Sequence, residues 1–245
     1  MISKKTLSSI IDKYYLKGLC DSAVWKIKDK NLIIDFITTN SDMVGSIKTS
    51  NFDLEDTELA IYDTSLLDRQ LQITSGDIDL SIIKSGKINT KLTISDAQFR
   101  IQFSLADKML IPPVPKIEEP QVYQVEANLD FEAIGAMIKA KNALQKISTV
   151  SFGVEGNFDG GWDLVANFGD INDYSNKISY NITSAQVTGI TSLNLTFNSD
   201  ILKEVLDANK GASNAKMSIF DQGLMKLEFN DEDITSTYFI VCKEG

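Results

Sequence analysis

All four prolines of this chain fall in one short stretch, as Pro112, Pro113, Pro115 and Pro120. Proline fixes φ and has no N–H to give to a sheet ladder, so a cluster of this density is neither helix nor interior strand. It reads as an extended connector. The chain therefore divides into residues 1–111, a proline-rich linker over 112–120, and residues 121–245. Two stretches of similar length on either side of a connector invite a search for internal repetition.

The first stretch opens with a helix, because Leu7, Ile10, Ile11 and Tyr14 follow helical spacing and Gly18 offers a stop. Short apolar runs follow. Those over 23–27 and 32–37 flank Lys28-Asp-Lys-Asn31, a hairpin signal, and 57–62 is a further strand. Asp63 then starts a second helix carrying Leu66, Leu67 and Leu71. Strands over 78–83, 88–94 and 98–105 complete this half.

The second stretch repeats the order. A strand over 123–129 leads into a helix capped by Asp130, with Phe131, Ile134 and Ile138 as its core stripe. Strands follow over 149–154, 162–168, 177–182 and 192–197. Asn198 then begins a helix with Ile201, Leu202, Val205 and Leu206, and Gly211 ends it. Strands over 216–220, 224–229 and 236–242 close the chain. The clearest echo sets Glu58-Leu-Ala-Ile-Tyr-Asp-Thr-Ser-Leu-Leu67 against Ser192-Leu-Asn-Leu-Thr-Phe-Asn-Ser-Asp-Ile-Leu202: strand, capping residue, paired aliphatics. The expected class is α+β, with two similar domains that each pack two helices on antiparallel sheet.

Charge is unevenly spread. The net charge is −10, which taken alone would repel nucleic acid. Residues 1–18 nevertheless carry Lys4, Lys5, Lys13 and Lys17 against the single acid Asp12. The third helix carries Lys139, Lys141 and Lys146, and no acid occurs from Ala133 to Lys146. The fourth carries Lys203 and Lys210, spaced to share a face. Lys5 and Lys13 are expected to face solvent, with Lys17 on the flank. The helices are thus cationic relative to strongly acidic strands and loops.

Several functions are disfavoured. Histidine is absent, which removes Ser-His-Asp and Cys-His catalysis and His-ligated metal sites. Cys20 and Cys242 lie too far apart in sequence for a metal motif and are expected as small buried side chains. Asp231-Glu-Asp233 and Asp159-Gly-Gly-Trp-Asp163 read as turns rather than metal loops. No glycine-rich phosphate loop occurs, so no cofactor, metal or catalytic residue is expected. No apolar run approaches the ~20 residues a membrane helix needs. Met1-Ile2-Ser3-Lys4-Lys5 is followed by no apolar block, which gives the expectation of a cytosolic protein with no membrane partner. Asn181-Ile-Thr183 and Asn194-Leu-Thr196 match the glycosylation pattern, with nothing to deliver them to that pathway.

The succession helix, strands, strand–helix, strands, proline linker, then the same again, resembles a DNA sliding clamp. It is most similar to the processivity factors of tailed bacteriophages, relatives of the eukaryotic and archaeal clamps. The stretches that carry the likeness are Glu58 to Leu67, Ser95-Asp-Ala-Gln-Phe-Arg-Ile101 with the Pro112-Pro-Val-Pro115 linker, and the ending Ser236-Thr-Tyr-Phe-Ile-Val-Cys242. The chain departs from the family in an acidic second helix and in the Asn/Asp-rich loop over 169–176.

The resemblance implies a non-enzymatic ring around double-stranded DNA that tethers a DNA polymerase in the cytoplasm of an infected bacterial host. A separate clamp loader ATPase would place it there. Its lining would hold DNA without sequence preference through Lys5, Lys13, Lys17, Lys139, Lys141, Lys146, Lys203 and Lys210. Exchangeable phosphate contacts suit a tether that must move. Six domains per ring imply a homotrimer, closed by edge strands running from Gln98 to Leu105 and from Lys177 to Ile182. Partner peptides would enter a pocket beside the linker made by Leu110, Ile111, Pro112 and Pro113, with Met43 and Val44 from a loop. Two other readings stay open from the residues alone: a phage structural or adaptor protein built of repeated β units, and a carboxylate-based hydrolase.

Overall fold

The computed structural model describes residues 2–169 and 176–243. Of the Asn/Asp-rich loop over 169–176, residues 170–175 lie outside the described residues. The chain forms two compact units, one of Met1–Pro115 with Asp233–Ser236, the other of Lys116–Glu232 with Thr237–Gly245.

In the first unit β1 (Ile2–Ser3) runs into α1 (Lys4–Tyr15). The Ser3 hydroxyl accepts the Thr6 N–H at 3.0 Å, capping the helix. Leu7, Ile10, Ile11 and Tyr14 are fully buried, as their spacing requires. The helix closes ahead of the expected Gly18, because Leu16 and Lys17 already turn left-handed (φ 47° and 52°). Then come β2 (Ala23–Lys28), β3 (Asn31–Ile37), β4 (Met43–Thr49), β5 (Thr57–Ile61), α2 (Thr64–Leu71), β6 (Asp77–Ser85), β7 (Ile88–Ser95) and β8 (Arg100–Ser104). The β2–β3 hairpin turns on Asp29 and Lys30, both at positive φ, which matches the twist of paired strands. Asp63 caps α2 by accepting the Leu66 N–H at 2.7 Å. The two helices pack on each other, and Lys4 Nζ donates to the Gln72 and Thr74 carbonyls at 3.0 and 2.7 Å. A lysine of α1 thereby satisfies carbonyls left open past the end of α2.

The core of this unit is an aromatic cluster. Trp25 meets Tyr14 and Phe52 edge to face, with centroids 6.4 and 6.1 Å apart, and Tyr14 tilts onto Phe36 at 6.2 Å. Such side chains each bring about 1.5–3 kcal/mol when fully buried, plus a further increment from ring geometry. Burial pushes the Tyr14 phenol well above its usual range, and Thr64 Oγ1 lies 3.3 Å from its oxygen.

Strand β4 corrects the sequence reading, which left Met43 and Val44 in a loop. Both are buried in a seven-residue strand. Gly45 conceals it, because a glycine inside a short apolar run weakens the strand pattern. Here the glycine is required. Phe36 is its direct cross-strand partner, and a Cβ at position 45 would lie 2.8 Å from Phe36 Cε1 and closer still to Cζ. The ring covers the bare backbone, a pairing known to rescue strand glycines.

The second unit contains β9 (Val125–Asn128), α3 (Phe131–Ala143), β10 (Thr149–Gly156), β11 (Trp162–Phe168), β12 (Ile178–Val187), β13 (Asn194–Asn198), α4 (Ser199–Ala208), β14 (Asn214–Phe220), β15 (Leu224–Asp231) and, from Thr237 on, β16 (Ile234–Val241). Asp130 and Asn198 cap the helices as expected. The core stripe of α3 is not Phe131, Ile134 and Ile138. Its buried positions are Ala133, Ile134, Met137, Ala140 and Lys141, while Phe131 is 77% exposed and Ile138 half-buried. Apolar residues surround this helix, so spacing alone does not select the inward face. Helix α4 ends at Ala208 rather than Gly211, and its cap Asn209 is fully buried. The Asn209 amide donates to the Val205 carbonyl and the Tyr238 hydroxyl, both at 2.8 Å.

The expected repetition appears as strand order. In the first unit the runs are β5-β2-β3-β4 and β1-β6-β7-β8; in the second they are β13-β10-β11-β12 and β9-β14-β15-β16. The described strand pairs within these runs are antiparallel. Each unit thus sets two helices on antiparallel sheet, the α+β architecture the sequence implied.

Candidate nucleic-acid interface and partner surface

The lysines expected on the helices divide in two, and Lys17, Lys146 and Lys210 lie just past the ends of α1, α3 and α4 rather than within them. Lys5, Lys17, Lys139, Lys146 and Lys210 reach solvent. Lys13 and Lys141 do not: they are 1% and 4% exposed. For Lys13 this reverses the expected solvent-facing placement. Its stem lies on the buried side of α1 with Ile10 and Tyr14, a position open to a long aliphatic side chain.

Lys141 instead joins the two helices of its unit. Its ammonium sits 2.9 Å from Asp200 Oδ1 in the first turn of α4 and donates to the Gln145 carbonyl at 3.2 Å. Asp200 also suits the positive N-terminal end of α4. Lys4 and Lys141 therefore do the same job in the two units, each tying the first helix to the second. Lys203 is half-buried beside Glu204 at 2.6 Å, and Lys210 pairs with Asp207 at 3.2 Å. Replacing Lys141 with alanine should cost about 1–2 kcal/mol in urea unfolding, and replacing exposed Lys139 less than about 0.5. Equal costs would contradict the structural role of Lys141.

The partner-surface residues also separate. Met43, Val44 and Ile111 are buried, whereas Leu110 is 61% exposed and Pro112 and Pro113 reach solvent. Met109, absent from the sequence reading, is the more open neighbour at 91%. A single 3-10 turn over Lys108–Leu110 presents both apolar side chains. Asp107 caps it by accepting the Met109 N–H at 2.9 Å, and Lys108 pairs with Glu58. An Asp two residues before an apolar pair was the available signal.

Several strands have an open edge among the described residues: β5 and β13 end their runs as β8 does, and β12 is open along part of its length. β8 ends its run and pairs only with β7. β12 pairs with β11 along most of its length but with β9 only at Gln186 and Val187, so its other edge has no partner among the described strands over 178–185. Tyr180 on β12 has its phenol raised, by burial first and then by the carboxylates of Asp130 and Glu132. The start of α3, with exposed Phe131, therefore adjoins this edge. Among the described residues no group of acidic or cysteine side chains could hold a metal, and no helix is long and apolar enough to cross a membrane.

Two repeated units with this strand order define the sliding-clamp fold. The chain is similar over 99% of its length to a crystal structure of proliferating cellular nuclear antigen from Entamoeba histolytica, with TM-score 0.74, 13% identity and 96% of that chain covered. It is similar over its whole length to the proliferating cellular nuclear antigen of A. fulgidus, solved with the C-terminal region of FEN-1 bound, with TM-score 0.76, 16% identity and 97% of that chain covered. At these identities the likeness is one of fold. No family model and no curated protein matches the sequence.

Proposed function

We propose that this chain is a DNA sliding clamp, the processivity factor of a tailed bacteriophage. Copies join edge to edge, β8 of one to β12 of the next, and three close a ring around duplex DNA. The ring performs no chemistry. It tethers a DNA polymerase and other partners, is placed on DNA by a separate clamp loader ATPase, and works in the cytoplasm of the infected bacterial host.

One observation carries this reading: two units of like strand order, in the fold of two solved sliding clamps, present strands β8 and β12 with an edge open to a further strand. Lys5, Lys17, Lys139, Lys146 and Lys210 form the reachable part of the proposed lining. Lys13, Lys141 and Lys203 support it from behind. Lysines suit such a lining because a mobile point charge trades phosphates more readily than a bidentate guanidinium. The acidic remainder disfavours DNA elsewhere on the surface. Met109, Leu110, Pro112 and Pro113 are the proposed docking surface for partner peptides; a solved structure of the same fold carries the C-terminal region of FEN-1.

Solution mass is the first test. Sedimentation should give three times the 27.1 kDa chain, and a monomer at micromolar concentration would overturn the ring.

A further inference from the structure

The trailing end of the linker is fastened to the second unit by a cluster of charged and aromatic side chains. Lys226 lies on β15, where Met225, Leu227 and Phe229 point into the core and Lys226 and Glu228 lie on the opposite face. Its side chain is only 14% exposed, and its ammonium holds Glu119 Oε2 at 2.8 Å and Glu228 Oε1 at 3.0 Å. It also stands 5.7 Å from the centre of the Phe239 ring, within cation–π range. Tyr123 Oη donates to the same Glu119 oxygen at 3.4 Å. Burial lowers the Lys226 pKa, but the bonds to Glu119 and Glu228 outweigh it and leave the ammonium above the usual lysine range. Burial, then the Glu119 carboxylate, pushes the Tyr123 phenol up to about 12. Both groups therefore keep their protons throughout the neutral range, so a pH change within it does not open the clasp.

Glu119 belongs to the proline-rich linker; its partners belong to the sheet. The other end of the linker is held by Ile111, which is buried. Beyond Glu119 the next backbone anchor is Gln124, whose carbonyl accepts the Thr188 N–H at 2.8 Å and whose side chain accepts the Asp221 N–H at 3.1 Å. We infer that the Glu119–Lys226 pair is a releasable strap: closed, it confines the unanchored connector to residues 112–118, and open, it frees residues 112–123. A half-exposed carboxylate on a partly buried lysine suits this role. It is strong enough to order the segment and weak enough to open without unfolding the sheet. Glu228 lets it open, because Lys226 keeps one carboxylate when Glu119 leaves.

Lys116 lies in the connector and is exposed; a protease needs a longer extended stretch than the closed strap leaves, so the rate of cutting by trypsin between Lys116 and Ile117 reports the lengthening of the mobile segment. Native proteolysis of Glu119→Gln and of Lys226→Met should cut there about fivefold faster or more than wild type, the factor for roughly 1 kcal/mol of lost pairing. The double variant should be no faster than either single, and Lys226→Arg should stay near the wild-type rate. Amide exchange over 112–123 should quicken in the same variants while that of β14 and β15 does not change. A wild-type rate at Lys116 in both variants would overturn the strap. So would a uniform rise at every cleavage site, which reports loss of the fold rather than release of the linker. The readout involves neither DNA nor a second chain, so its outcome is independent of the proposed function.

Discussion

A Gln102→Pro chain should run at the mass of one subunit where the wild type runs at three. The choice of residue follows from the ladder. Leu105 donates its N–H to the Thr90 carbonyl of β7 at 2.9 Å. N–H directions alternate along an antiparallel strand, so Phe103 and Ile101 also point inward and Gln102 points its N–H to the open side. Proline at 102 removes an edge donor and places a ring against any incoming strand, at no cost to the bonds with β7. The intrachain loss is the exposed contact from Lys91 to the Gln102 side chain at 3.0 Å. Ladder disruption of about 3 kcal/mol weakens association on the order of a hundredfold. Circular dichroism should retain the α+β signature. A Gln102→Pro protein that still sediments as a trimer would show that β8 is not the joining edge.

The second large effect is on stability. Gly45→Val should cost about 3 kcal/mol in urea unfolding. The added side chain would enter space held by the Phe36 ring, and Phe36 is boxed in by Tyr14 and is 1% exposed. In a close-packed core the ring has nowhere to swing. A cycle separates this cause from a loss of strand propensity. Phe36→Leu vacates the ring position, so adding Gly45→Val to Phe36→Leu should cost at least 1 kcal/mol less than adding it to wild type. Additive costs would contradict ring-over-glycine packing as the reason for Gly45.

What was legible in the sequence was local. Asp63, Asp130 and Asn198 mark helix starts because a short acceptor ahead of apolar spacing has one good use, and each accepts the expected N–H. The repeat was legible because alternation and caps recur in the same order, and the strand runs of the two units follow it. What failed depended on partners distant in the chain. Lys141 looks like any surface lysine until Asp200 is brought to 2.9 Å from it. Met43 and Val44 looked like loop because Gly45 makes sense only opposite Phe36. Phe131 looked like core because helix α3 is apolar on most sides, and small residues such as Ala133 and Ala140 take the inward face instead. Cys242, expected in the interior, is only partly buried, while Cys20 is 2% exposed with its thiol pushed up to about 11 by burial. The candidate lining was the least legible of all, since helix charge alone does not separate lysines that reach solvent from those that hold helices together.

Encirclement is the central claim, and topology tests it most directly. Protein is assembled on nicked circular DNA, chemically crosslinked between neighbouring chains, and moved to 1 M salt, where the Debye length is about 3 Å and phosphate attraction is largely screened. The account predicts that the crosslinked protein stays with the circles and is released when one restriction cut makes them linear. Protein that washes off the intact circles, or remains on the cut ones, would contradict it.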